Sequence, residues 1–106
     1  MASVYSTRFV ALHNGTLATY VVPADAVAVV RSISAFNNAT VAHWANVKVQ
    51  NGPALFVAIL PANGSSPVGE LSIRADLRQV LNAGQTLEVS TADPLVDVLV
   101  SGYLFL

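Results

Sequence analysis

Apolar and polar residues alternate along most of this chain with a period of two. Leu71, Ile73, Ala75 and Leu77 stand on one side against Ser72, Arg74, Asp76 and Arg78 on the other, the pattern of a strand with one buried and one wet face. Leu87 and Val89 against Thr86, Glu88 and Ser90 repeat it, as do Val47 and Val49 against Lys48 and Gln50. Turn-forming groups separate these runs at Asn14-Gly15, Pro23-Ala24-Asp25, Asn37-Asn38, Asn51-Gly52-Pro53, Pro61-Ala62-Asn63-Gly64, Asn82-Ala83-Gly84 and Asp93-Pro94, about ten residues apart, as in all-β sandwiches. The pattern predicts eight strands, at 3–12, 17–22, 26–36, 41–50, 54–60, 69–79, 85–91 and 95–105. The best helical stretch, Ala75 to Leu81, is short and runs straight into the Asn82-Ala83-Gly84 turn, so no helix is expected. The whole chain, 1–106, reads as a single domain, an all-β antiparallel β-sandwich. The cysteine framework of immunoglobulin domains is missing, which favours a jelly-roll-like arrangement.

Two predicted strands depart from the half-wet pattern. Val27, Val29 and Ile33 alternate with Ala28, Val30 and Phe36, and Leu55, Val57 and Ile59 alternate with Phe56, Ala58 and Leu60. A strand that is apolar on both faces needs a second cover, since a two-sheet sandwich normally sends one face to water. The last residues, Tyr103 to Leu106, add four large apolar side chains at a terminus, where solvated chain is the rule. Composition points the same way. Hydrophobic residues make up 54% of the 106 residues and charged ones 10%, with a formal net charge of −1, against about a quarter charged in ordinary soluble domains. Little charge is left to keep copies apart. The expectation is a homo-oligomer whose interface includes Phe56, Leu60, Tyr103, Leu104, Phe105 and Leu106.

The same charge balance offers no basic footprint, so neither nucleic acid nor an anionic membrane is expected as a partner. The longest apolar runs, Ala26 to Val30 and Ala54 to Leu60, fall far short of the ~20 residues of a spanning helix. The first eight residues, Met1 to Arg8, lack the basic start, apolar stretch and cleavage site of a secretory signal, and export by that route is not expected. The triplets at Asn14, Asn38 and Asn63 fit glycosylation acceptors, but two of them contain Asn-Gly and read as turns.

Residue chemistry names no reaction. His13 and His43 have no metal-like spacing to each other or to an acid nearby in the sequence, and there is no cysteine, whereas a metal site needs three or four ligands. Asp25, Glu70, Asp76, Glu88, Asp93 and Asp97 are scattered and read as solubilising charge rather than as a paired-carboxylate site. There is no Gly-x-Ser-x-Gly elbow, and Asn82-Ala83-Gly84-Gln85 lacks the lysine and helix of a phosphate loop. No cofactor and no catalytic residue are expected. Trp44, Tyr5, Tyr20 and Tyr103 read as core or interface anchors, with a sugar-stacking platform as the alternative if all four meet on one surface. Arg31 shares phase with Val29 and Ile33, and Arg8 with Val10 and Leu12. Each sits either at a sheet edge with its head in water or in a carboxylate pair, with Asp97 as one partner to consider.

Three segments carry a resemblance. Tyr20-Val21-Val22-Pro23-Ala24 followed by Val29-Val30-Arg31-Ser32-Ile33, then Val80 to Val89 through Asn82-Ala83-Gly84-Gln85, then Val96-Asp97-Val98-Leu99-Val100-Ser101-Gly102-Tyr103, together resemble small all-β structural proteins of tailed-bacteriophage virions. The resemblance spans about residues 17–106 and leaves 38–66 without a counterpart. It implies a virion component, a capsid decoration protein or a tail or fibre part, acting in a symmetric assembly, a trimer first, beside other virion proteins such as the major capsid protein. It transfers no catalytic residue. A carbohydrate- or receptor-binding sandwich module is the second reading.

Overall fold

The computed structural model describes residues 3–52, 54–60 and 72–106, the backbone alone being described for 72–77. Eight strands form: β1 (Val4–Leu12), β2 (Leu17–Val21), β3 (Val27–Asn37), β4 (His43–Val49), β5 (Ala54–Leu60), β6 (Ser72–Leu81), β7 (Thr86–Thr91) and β8 (Val96–Phe105). Each lies within three residues of its expected bounds, and 75–81 is strand. The side-chain alternation read over 71–77 lies outside the described residues, as do the turn at 61–64 and the Asn63 triplet.

The strands make two four-stranded antiparallel sheets, in the orders β1-β8-β3-β6 and β2-β7-β4-β5. Only β4 and β5 are consecutive strands of one sheet; every other connection crosses between sheets, which is the jelly-roll path. The inner faces meet in one core around Phe9, Ile33, Leu60, Leu81, Leu87 and Val100. Tyr20 closes it, its ring 5.0 Å from that of Phe9. Asn14 (φ 58°), Asn51 (φ 60°) and Gly84 (φ 83°) take the left-handed backbone that their turns require. At one end of the sandwich the β2–β3 and β6–β7 turns are joined by Val22 N–H donating to Gln85 O (3.0 Å) and Gly84 N–H donating to Val22 O (3.0 Å).

Two bulges in the first sheet overturn the expected phase of its strands. Arg8 pairs with Ser101 and Val10 with Val100, so Phe9 is the extra residue of β1, and Phe9 and Val10 are both buried. In β3, Val30 pairs with Gly102 and Ser32 with Ser101, so Arg31 is extra. Beyond it Ile33 joins the inward face of Ala28 and Val30 instead of the face of Val29. One inserted residue shifts a period-two pattern by half a period. Arg31 and Arg8 are exposed, and among the described residues neither has an ion pair. In the second sheet a register shift beside Val47 leaves Leu55 unmatched, and it packs against the core rather than with Val57 and Ile59.

Candidate interaction surfaces

Cross-strand partners share a face, so the register fixes what each sheet presents outward. On the first sheet one outward row is Val4, Phe105 and Val27, and the next is Ser6, Tyr103, Val29 and Val80. Val4, Val27, Val80 and Tyr103 are 55%, 37%, 44% and 43% exposed. Arg8, Ser101 and Ser32 form the row above, where the two serine hydroxyls are hydrogen-bonded at 2.7 Å. Beyond them lies a groove of about 430 Å³ whose lining includes Ala11, His13, Ser34, Phe36, Asp97 and Leu99. At its rim His13 Nδ1 lies 2.8 Å from Asp97 Oδ1, and Asn38 Nδ2 donates to Asp97 Oδ2 (3.2 Å).

The second sheet has a different exterior. Trp44 pairs with Ile59, and Asn46 with Val57 on one side and Ser90 on the other. Trp44, Val57 and Ile59 are 45%, 66% and 74% exposed. Between them the Asn46 Oδ1 is buried and accepts no hydrogen bond among the described residues, an arrangement that native structures rarely leave uncompensated. Lys48 and Glu88, paired in register, meet at 3.4 Å.

The expected interface residues divide. Tyr103 and Phe105 stand on the outer face of the first sheet, and Leu106 follows them, half exposed. Leu60 is wholly buried in the chain's own core and offers no surface to another subunit, while Phe56 and Leu104 are partly buried and pack against that core. Their strands alternate, and the phase that puts Tyr103 and Phe105 outward turns Leu104 inward. The four aromatics are likewise separated. Trp44 is on the second sheet, Tyr103 faces out from the first, Tyr20 packs on Phe9, and Tyr5 pairs with inward-facing Leu104. They form no common platform for a sugar.

Both histidines find an aspartate in space that spacing hid: His13 meets Asp97, and His43 Nε2 lies 3.6 Å from Asp93 Oδ2. Asp97 thus faces His13 and Asn38 rather than an arginine. Among the described residues no three His, Asp or Glu side chains gather as metal ligands. The exposed surfaces that sequence reasoning missed, Trp44 with Val57 and Ile59 and the groove beside Phe36, depend on cross-strand register, which alternation within single strands does not report.

Neither a protein-family model nor a curated protein matches the chain. Among solved structures it is similar to the Drosophila NLP core, described in terms of pentamer formation and histone binding, at 14% identity over 95% of this chain and 96% of that one, with a TM-score of 0.56. It is also similar to a pentameric capsid protein isolated from metagenomic phage sequences (24% identity, 92% of this chain and 58% of that one, TM-score 0.47) and to a chain of the infectious bursal disease virus Gx strain (13%, 98% and 31%, TM-score 0.41). At these identities the likeness is one of fold, and the fold is the eight-stranded jelly-roll-like sandwich.

Proposed function

We propose that this chain is a non-enzymatic structural subunit of a virion, a capsid decoration or minor structural protein of a tailed bacteriophage. In this reading it acts as one sandwich unit and assembles with copies of itself and with a shell protein such as the major capsid protein. The observation that carries the reading is the outer face of the β1-β8-β3-β6 sheet, where Val4, Val27, Val80 and Tyr103 stand together half exposed on a chain with few charges. Covering them contributes about 1 kcal/mol each, half the value of full burial, and contiguous patches of this kind mark interaction sites. The virion setting is supported by the resemblance of segments 20–33, 80–89 and 96–103 to phage structural proteins and by the jelly-roll path. The trimer that the resemblance implied finds no support in the geometry, and we attach no number to the assembly.

The chain holds no thiol of its own, so a single introduced cysteine reports coverage. Ser6 is exposed in the row of Tyr103, and Thr40 is exposed in the β3–β4 loop. In assembled protein, Ser6→Cys is expected to react with a thiol reagent about tenfold more slowly than Thr40→Cys, reactivity following access. Equal rates at micromolar concentration would show an open face and contradict the reading.

A further inference from the structure

We propose that the junction between copies is heterologous, the outer face of the β2-β7-β4-β5 sheet of one copy seating on the outer face of the β1-β8-β3-β6 sheet of the next. This deepens the proposed homo-assembly and rests on it. Three differences between the faces make them complementary to each other and poorly matched to themselves.

The first is shape. The β1-β8-β3-β6 face is hollowed by the groove of about 430 Å³ over Ala11, Leu99, Ser34 and Phe36, whereas the opposite face projects Trp44, Val57 and Ile59. A two-fold junction of either face with itself sets hollow against hollow or knob against knob. The second is charge. On the grooved sheet, Arg8, Arg31 and Arg78 are exposed cations with no ion pair among the described residues. Face-to-face self-pairing of the grooved sheet would bring these cations together, while the other face carries the Glu88 carboxylate, already 3.4 Å from Lys48 and able to share a second cation. The third is economy of cover. The apolar patches lie on opposite sides of the sandwich, and an isologous dimer buries one of them and leaves the other wet, whereas a head-to-tail junction repeated from copy to copy covers both.

The test is complementation between two exposed positions. Ala11→Trp fills the groove, and Ile59→Glu charges the knob, which is 74% exposed in the chain. Circular dichroism first confirms that both variants retain the unsubstituted strand spectrum; if either does not, Leu99→Arg or Val57→Glu takes its place. In sedimentation equilibrium at micromolar concentration each variant alone is expected to run at the 11.1 kDa of one chain. Their equimolar mixture is expected to run at twice that mass, because one intact junction, the free knob of the Ala11→Trp copy in the free groove of the Ile59→Glu copy, becomes available. A mixture that stays monomeric, or variants that assemble like the unsubstituted chain, would overturn the heterologous junction while leaving homo-assembly standing. An unsubstituted chain that is itself monomeric would instead remove the proposed assembly.

Discussion

Replacing Gly102 with alanine is expected to destabilise this protein by more than about 4 kcal/mol, a size of effect that single substitutions reach only through a defined mechanism. The mechanism is steric. An added Cβ would stand 1.9 Å from the Val29 carbonyl oxygen and 3.0 Å from the Arg31 nitrogen, both backbone atoms of β3 that no rotamer change can move. The close approach comes from the Arg31 bulge, which brings the β3 backbone against β8 where Val30 pairs with Gly102. Relief would mean separating two central strands of the sheet, which native stabilities of ~5–15 kcal/mol cannot absorb easily. Urea unfolding checks this. An unfolding free energy within about 1 kcal/mol of that of the unsubstituted protein would mean that the bulge relaxes without strand separation.

Asn37→Ala should produce the second large loss, about 2–3 kcal/mol, the cost of leaving buried backbone groups unpaired. Asn37 is fully buried at the end of β3. Its Nδ2 donates to the carbonyls of Val41 (3.0 Å) and Leu60 (3.3 Å), and its Oδ1 accepts from Ala39 N–H (2.9 Å). One amide therefore ties the β3–β4 loop to the end of β5. Asn37→Asp is isosteric and separates shape from hydrogen bonding. At neutral pH it keeps the acceptor, loses both donors and sets a negative charge against two carbonyls, so it should unfold at lower denaturant than the alanine variant. It should recover stability as the pH falls, because protonation removes the charge and restores one donor. An Asp variant as stable as the original at pH 7 would show that the amide donors contribute nothing.

The strand plan was legible because burial on one face writes itself directly into a period of two, as in Thr86 to Ser90, where Leu87 and Val89 are buried and Thr86, Glu88 and Ser90 are not. The sandwich was legible in the number and spacing of strands, and the jelly-roll preference in the missing cysteine framework of immunoglobulin domains. Phase was not. The Phe9 and Arg31 bulges insert a residue without any local signal beyond an arginine in an apolar stripe, and the reason for Gly102 sits on another strand, β3. Asn37 reads as a turn former beside Asn38, since nothing in the sequence shows that its amide reaches Leu60. The same limit hid the candidate surfaces. His13 and Asp97 are 84 residues apart in the chain and 2.8 Å apart in space, and the exposed group of Trp44, Val57 and Ile59 exists only once β4 and β5 are in register. Greasy strands correctly signalled that apolar faces would be left over, but half of the residues chosen for the interface, Phe56, Leu60 and Leu104, turned inward to the chain's own core.

If the apolar outer faces are covered by other copies of the chain, sedimentation equilibrium of the unsubstituted protein across a dilution series from high to low micromolar concentration will show it. A defined multiple of 11.1 kDa is expected throughout the series, because interfaces built from core-like apolar faces are tight. A soluble species of 11.1 kDa at every concentration would contradict it, since Val4, Val27, Val80, Tyr103, Val57 and Ile59 would then face water with no partner of their own kind.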